Sequence, residues 1–226
     1  MESVGTLSVI ATPIGNLEDI TLRALRVLKE ADYVLCEDTR VTGKLLKHYE
    51  ISAKLKRYDA HASEKVHEEI LADLGEGKNI AMVSDAGTPG VSDPGVLLVK
   101  MSRDIGVRID AIPGPSAVTT AFSIAGITGN QFSFLGFAPH KKGRETFFNN
   151  ISDYSHPVVF FESTHRIMKT LASLAKVYPK STIYIGRELT KMHEEMIIGT
   201  PGEIETQLEI EPVRQKGEFV LIVTQG

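Results

Sequence analysis

Residues 84–95 read Ser-Asp-Ala-Gly-Thr-Pro-Gly-Val-Ser-Asp-Pro-Gly and separate two apolar runs, residues 80–83 and 96–99. Glycine allows the backbone to approach a ligand closely, and proline fixes φ and so keeps a loop from collapsing. A polar loop this rich in both, placed between two buried elements, is typical of a ligand-binding loop. A single loop of this kind also occurs as a plain tight turn. The elements on either side of it decide between these two interpretations.

The chain before residue 115 alternates between short strand patterns and helical patterns. Strands are predicted at residues 7–12, 33–36, 79–83 and 107–112. A helix is predicted at residues 19–31, with Asp19 as its N-cap. Ser63 is predicted to open a second helix at residues 63–74. This alternation indicates a mostly parallel sheet flanked by helices.

Strand patterns follow one another more closely after the Pro113-Gly114-Pro115 stretch. They lie at residues 131–137, 157–161, 182–185, 196–198 and 219–223, with helical patterns at residues 143–151 and 164–177. Successive strands with fewer helices between them indicate a mixed sheet. The sequence therefore predicts an α/β protein of two domains, residues 1–115 and residues 116–226.

Composition is that of an ordinary globular protein, with 226 residues and a formal net charge of -4. The single cysteine, Cys36, cannot form an internal disulfide, and no signal-peptide pattern or membrane-length apolar run is present, so a cytosolic protein without a membrane segment is expected. The acidic balance argues against coating nucleic acid by bulk charge. Local basic clusters could still contact RNA, although most such clusters are solvated surface; they lie at residues 44–48, 54–57 and 140–144.

Several common catalytic signatures are missing from the sequence. There is no G-x-x-x-x-G-K-[ST], no G-x-G-x-x-G after the first strand, no H-E-x-x-H, no C-x-x-C pair and no G-x-S-x-G. These absences weaken the case for P-loop, hydride-transfer, metal-dependent and acyl-transfer enzymes. No metal site is expected.

Glycine- and proline-bearing loops follow four of the predicted strands, at residues 12–16, 84–95, 113–117 and 136–139. In open α/β sheets, ligands bind where such loops converge at the carboxyl ends of the strands. Loops with carboxylates but few lysines do not suit a triphosphate. They suit S-adenosylmethionine, whose adenine needs an apolar slot and whose ribose and amino-acid ends need hydrogen bonds.

Particular motifs make this interpretation specific, because together they resemble the tetrapyrrole methylase superfamily over nearly the whole chain. Within it they are similar to the branch that methylates a cytidine 2′-hydroxyl in the decoding region of small-subunit ribosomal RNA; Glu-Asp-Thr-Arg at residues 37–40 and Ser-Asp-Ala-Gly-Thr-Pro at residues 84–89 are typical of that branch. Further matching stretches lie at residues 11–21, 113–117, 160–166, 187–191 and 216–218.

The resemblance implies two α/β domains with S-adenosylmethionine in a cleft between them, a homodimer, and ribosomal RNA or the assembled small subunit as partner. Residues 84–95 would hold the methionine end of the cofactor, and Phe137 would cover the adenine. The residues that the resemblance assigns to the cofactor are Pro13, Gly15, Asp85, Ala86, Gly87, Thr88, Ser116, Ala117 and Phe137.

Candidate catalytic residues are Asp38, Arg40, Glu188 and Lys191, since a base near the ribose hydroxyl would assist methyl transfer. Two alternatives remain open: Asp38 could simply pair with Arg40, and Lys191 could be ion-paired and structural. Candidate contacts to RNA phosphates are Arg40, Lys141, Lys142 and Arg144.

Three rival functions are consistent with parts of the sequence. A superfamily relative could methylate a small macrocycle or a protein side chain, although the residue 37–40 motif and the basic stretch at residues 140–144 argue against it. A binding module could sense the cofactor without catalysis. The third rival is a nucleotide-binding dehydrogenase, but this chain lacks the glycine fingerprint of such enzymes.

Overall fold

The computed structural model describes residues 4–224. The chain divides into two compact units, and the division falls after Ser116. Within the described residues, no helix is long and apolar enough to cross a membrane.

The first unit is built on a parallel sheet. Its strands are β1 (Thr6–Ile10), β2 (Tyr33–Cys36), β3 (Leu55–Arg57), β4 (Ile80–Val83) and β5 (Arg108–Ile112). They lie in the order β3-β2-β4-β1-β5, and every neighbouring pair is parallel. This confirms the predicted parallel sheet. It also places β4, β1 and β5 side by side, so that the loops following them share one edge.

Helices cover both faces of this sheet, as a parallel sheet requires. They are α1 (Leu22–Glu30), α2 (Thr39–His48), α3 (Glu64–Gly75) and α4 (Val96–Asp104). One face packs Ala24 and Leu28 of α1 and Leu45 of α2 in a core with Ile10 and Val34. The opposite face packs α3 and α4 through Ile70, Leu74 and Leu98.

Thr21 caps α1, and this corrects the prediction that Asp19 does so. The Thr21 hydroxyl accepts a hydrogen bond from the Ala24 N–H at 3.1 Å. Asp19 instead ends a short 3-10 turn, Leu17–Asp19, that precedes the helix. The predicted opening of α3 at Ser63 is confirmed, since Ser63 is its N-cap residue.

The second unit is built on a mixed sheet, also as predicted. Its strands are β6 (Ser133–Phe137), β7 (Val158–Ser163), β8 (Ile183–Arg187), β9 (Glu195–Gly199) and β10 (Glu218–Val223), in the order β6-β7-β10-β8-β9. The β6–β7 pair is parallel, and the other pairs are antiparallel.

The helices of the second unit are α5 (Ala117–Ile124), α6 (Arg144–Asn149), α7 (Ile167–Val177) and α8 (Pro201–Ile210). The core of this unit joins Phe160 of β7 and Leu221 of β10 to Leu171 of α7 and Leu208 of α8. Phe148 of α6 closes it at 1% exposure. Phe160 is fully buried, so its ring packs within this core.

Candidate active site

Main-chain hydrogen bonds join the loop after β1 to the loop after β4. The Thr12 N–H donates to the Gly87 carbonyl at 2.9 Å, and the Gly87 N–H donates to the Thr12 carbonyl at 3.0 Å. The two loops are thereby fixed against each other at the carboxyl edge of the parallel sheet. Ligands bind at this edge in open α/β folds.

Hydroxyl groups extend this connection to a third loop. The Thr12 hydroxyl donates to the Ser84 carbonyl at 3.1 Å, and the Ser84 hydroxyl donates to the Gly87 carbonyl at 3.2 Å. The Thr88 hydroxyl donates to the carbonyl of Pro115, in the loop after β5, at 3.3 Å. The loops after β1, β4 and β5 therefore form one hydrogen-bonded edge.

Gly87 gives this edge its shape. Its φ is +82°, a left-handed conformation that costs an L residue about 1–2 kcal/mol. A Cβ built at Gly87 would lie 3.5 Å from Ile14 Cγ2 and 3.9 Å from the Pro115 carbonyl oxygen, which are ordinary van der Waals distances, so the backbone conformation and not the available space disfavours a side chain. Glycine is therefore required at this position by its backbone conformation.

Carboxyl groups concentrate around this edge. Burial raises the pKa of Asp93 to about 6, with the Asp85 charge adding to the effect and a hydrogen bond with Ser84 opposing it. Burial and then the charges of Asp93 and Asp85 also raise the pKa of Glu37. Within residues 4–224, no group of three or more His, Cys, Asp or Glu side chains is arranged to hold a metal ion.

The predicted site residue Asp38 lies next to this edge, because its N–H donates to Asp85 Oδ1 at 3.1 Å. Asp38 is also the N-cap of α2, where its side chain accepts from the Arg40 N–H at 2.8 Å. Its Oδ2 lies 2.6 Å from Arg40 Nη2. Hydrogen bonds from the Arg40 side chain and N–H hold the pKa of Asp38 well below its usual range. A carboxylate held in this way is a weak base.

Arg40 keeps 86% of its side chain exposed despite the ion pair. A groove of about 530 Å³ lies beside it. The residues that line this groove are Glu37, Asp38, Thr39, Arg40, Arg57, Asp59, Ala60, His61 and Asp85. The exposed guanidinium at this rim is available to a phosphate.

The other predicted catalytic pair, Glu188 and Lys191, lies in the second unit. Lys191 Nζ is 3.0 Å from Glu188 Oε1 and 3.0 Å from Glu218 Oε2. Burial alone would lower the pKa of Lys191, but the hydrogen bonds with Glu218 and Glu188 outweigh it and raise that pKa. Burial alone would raise the pKa of Glu188, but the Glu218 N–H and Lys191 lower it. The pair is thus held in its charged form.

The predicted phosphate contacts at residues 140–144 separate into two kinds. Lys141 and Lys142 are exposed. Arg144 is only 6% exposed, and its guanidinium donates to Thr170, Glu162 and the Pro139 carbonyl. The prediction that Arg144 binds RNA phosphate is therefore wrong for this structure, because its donors are turned into the protein.

The structure brings together some of the predicted cofactor residues. Pro13 and Gly87 are buried at the joined loop edge, whereas Gly15, Asp85 and Ala86 are exposed on it. Thr88 is half-buried there. Ser116 ends the first unit and Ala117 begins α5, while Phe137 lies at the end of β6 with 53% of its surface exposed.

Sequence reasoning missed Thr12, Ser84 and Asp93. Ser84 and Asp93 lie within the residue 84–95 stretch, and their polar character between glycines and prolines could have indicated them. Thr12 precedes Pro13 at the end of β1, where a hydroxyl is well placed to bridge loops.

The chain is similar over most of its length to proteins of one family. The model of the Tetrapyrrole (Corrin/Porphyrin) Methylases matches residues 6–205. A ribosomal RNA small subunit methyltransferase I of Neisseria meningitidis serogroup A is 46% identical over 97% of this chain and 76% of its own length. One of the same name from Thermotoga maritima is 40% identical over 98% of this chain and 99% of its own length.

A solved structure with the same fold supports this assignment. The uroporphyrin-III C-methyltransferase of Thermus thermophilus, complexed with S-adenyl homocysteine, aligns over 98% of each chain with a TM-score of 0.65 and 18% identity. The hydrogen-bonded loops at the carboxyl edge of the parallel sheet, the family match and the shared fold agree with one another. This chain belongs to the tetrapyrrole methylase family.

Proposed function

We propose that this protein transfers a methyl group from S-adenosylmethionine to the 2′-hydroxyl of a cytidine in the decoding region of small-subunit ribosomal RNA. The observation that carries the proposal is the joined edge of the loops after β1, β4 and β5. The relatives named ribosomal RNA small subunit methyltransferase I support the choice of substrate. The resemblance of residues 37–40 and 84–89 to the cytidine 2′-O-methylating branch supports the finer assignment.

The residues at the joined edge suit this cofactor. Residues 12–16, 84–95 and 113–117 contain no lysine or arginine, so nothing there repels a positively charged sulfur. Gly87 adds no side chain between the loops, and Asp85 is exposed beside it. When bound, S-adenosylmethionine would supply a methyl group already activated by its sulfonium centre. Pro13, Gly15, Ala86 and Thr88 would complete the contacts of the first unit, and Ser116, Ala117 and Phe137 stay predictions.

The chain then has two tasks, alignment of the ribose hydroxyl and removal of its proton. Alignment of reacting groups can lower a barrier by about 7–11 kcal/mol. A well-placed base adds about 10²–10⁴-fold in rate. The rigid loop edge serves the first task, because its parts are fixed by hydrogen bonds before any ligand binds.

The second task needs a group that can accept a proton near neutral pH. The pKa of Asp38 and that of Glu188 are lowered, and the pKa of Lys191 is raised, so ion pairing favours positioning roles for all three. Burial raises the pKa of Asp93, in the loop of residues 84–95, to about 6. We add Asp93 to Asp38, Glu188 and Lys191 as a candidate base, because it is half-buried in that loop beside Ser84 and Asp85 and its raised pKa agrees with such a role.

Contacts to RNA would come from exposed cations. Arg40 lies beside the joined edge with its guanidinium at the surface, and Lys141 and Lys142 are exposed in the second unit. Arginine can bind a phosphate through two parallel hydrogen bonds, and lysine adds point charge. We further propose that the protein is a homodimer. Light scattering would measure its mass in solution.

Parallel methyl-transfer assays test the function. The purified protein is mixed with radiolabelled S-adenosylmethionine and, in separate reactions, with small ribosomal subunits, free ribosomal RNA of that subunit, and uroporphyrinogen. Label in RNA, located on ribose by mass mapping, is the expected result. Label in uroporphyrinogen alone would overturn the substrate assignment. Binding of the cofactor without transfer to any of the three would indicate a sensor.

A further inference from the structure

Glu162 of β7 is a fully buried carboxylate neutralised by two guanidinium groups. Its Oε1 lies 2.8 Å from Arg166 Nη2, and its Oε2 lies 3.4 Å from Arg144 Nη1. The Thr170 hydroxyl donates to the same Oε2 at 2.6 Å. Removing two cations and an anion from water is unfavourable, and apolar side chains of similar volume often stabilise a protein as well or better. Stability alone therefore does not account for this cluster.

The same guanidinium groups hold the main chain of the turn that follows β6. Arg166 Nη1 donates to the Ala138 carbonyl at 2.6 Å, and Arg144 Nη1 donates to the Pro139 carbonyl at 2.9 Å. The Ala138 N–H donates to the Phe161 carbonyl at 3.1 Å. Both polar main-chain groups of Ala138 are thus fixed from inside the unit.

Strand β6 enters this turn through a bulge. Phe134 is paired with Val159 and Phe137 with Phe161, so β6 contains one more residue between these pairs than β7 does. Gly136, in this interval, has a φ of +70°. Bulges redirect side chains and are common beside active sites. Phe137, at the end of this bulge, is 53% exposed as a residue, and its ring centroid lies 5.2 Å from that of Phe161.

We propose that Glu162, Arg144 and Arg166 are positioning residues, which hold the turn of residues 136–139 so that the exposed Phe137 ring is fixed for contact with an adenine ring. The inference rests on the proposed function, because S-adenosylmethionine carries the adenine that the family resemblance predicts Phe137 to cover. A ring whose backbone is already fixed loses little conformational freedom on binding, so the cluster raises cofactor affinity without touching the ligand.

Calorimetric binding of S-adenosylhomocysteine tests this proposal without any RNA. Arg166→Met and Phe137→Ala should each raise Kd about tenfold. This is the size expected when one hydrogen bond or one ring contact that supports ligand binding is lost. Because Arg166 acts through Phe137, the double variant should bind no more weakly than Phe137→Ala alone. Arg214→Met is the matched control: it removes a comparable ion pair, with Nη2 2.8 Å from Glu195 Oε2, and should lower Tm while leaving Kd unchanged.

An unchanged Kd for Arg166→Met would overturn the proposal. So would a double variant whose increase in Kd equals the product of the increases in the two single variants. If Arg166→Met does not fold, Arg166→Lys replaces it, since lysine keeps the charge but can reach fewer of the acceptors; an intermediate Kd is then expected, and a wild-type Kd would count against the proposal. A wild-type protein that binds no S-adenosylhomocysteine would overturn the proposed function and this inference together. If the wild-type protein binds S-adenosylhomocysteine and the variants bind it with the same Kd, the inference alone would be overturned.

Discussion

Asp93 is a half-buried carboxyl group in the loop of residues 84–95. Its ionised form should lower the free energy of unfolding at neutral pH. Burial, together with the Asp85 charge, raises its pKa from 3.8 to about 6. This difference corresponds to about 3 kcal/mol at most. Solvent reaches part of the side chain and screens the charge, so about 1–2 kcal/mol is the expected size.

The sign follows from proton binding. Between pH 3.8 and about 6 the folded state holds the Asp93 proton more tightly than the unfolded state does. The free energy of unfolding therefore falls as the pH rises through this window, and the full penalty is present above it. Asp93→Asn removes the titrating group but keeps a side chain that can hydrogen-bond with Ser84. The variant should be more stable than wild type by about 1–2 kcal/mol at pH 7.5 and equal to it near pH 4.

Urea unfolding followed by circular dichroism at both pH values measures this difference. Asp59→Asn is a control of opposite sign, because the His61 N–H and the Arg57 charge lower the pKa of Asp59, so its loss should destabilise the protein at pH 7.5. If Asp93 is also the base, Asp93→Asn should be more stable and slower in methyl transfer. A stability change that is the same at pH 4 and pH 7.5 would refute the electrostatic reasoning.

Three further predictions concern binding and catalysis. Gly87→Ala should lose about 1–2 kcal/mol of stability because of its left-handed backbone, and calorimetry should show weaker binding of S-adenosylhomocysteine. Gly106→Ala is the control: Gly106 has a φ of +79°, and a Cβ built on it has no neighbouring atom within 4 Å, so this variant should lose similar stability but no affinity. Lys141→Ala with Lys142→Ala should weaken RNA binding for all sequences and lower the slope of log K against log salt by about 1.4–1.8 in a titration; an unchanged slope would exclude these lysines. Lys191→Met should lower Tm but leave the ascending limb of the pH–rate profile unchanged, because the raised pKa of Lys191 keeps its amine protonated; loss of that ascending limb would instead indicate a lysine base.

The pattern of apolar residues was enough to predict both sheets apart from one strand, because their central strands Tyr33–Cys36, Ile80–Val83 and Glu218–Val223 are largely buried apolar runs. It did not reveal α2, which begins at Thr39 inside the Glu-Asp-Thr-Arg motif. Only three residues of α2 are buried, Thr42, Leu45 and Leu46, and Gly43 interrupts the pattern, so the helix depends on the Asp38 cap and on tertiary packing. The strand Leu55–Arg57 was missed because it is short and has no fully buried residue.

The candidate site could be predicted only in part, and for a physical reason. Glycine and proline mark loops locally, so residues 12–16, 84–95 and 113–117 stand out in the sequence. The Thr12–Gly87 pairing and the burial of Arg144 depend on contacts between distant segments, which no local pattern encodes. Basic residues in a row look alike in sequence, yet here one of them neutralises a buried carboxylate.

The most direct test of the central claim is mass mapping of ribose methylation in small-subunit ribosomal RNA incubated with the purified protein and S-adenosylmethionine. We expect a 2′-O-methylcytidine in the decoding region that forms only when both are present and forms more slowly with Gly87→Ala. Unmodified RNA, or a methyl group on a base instead of the ribose, would contradict it.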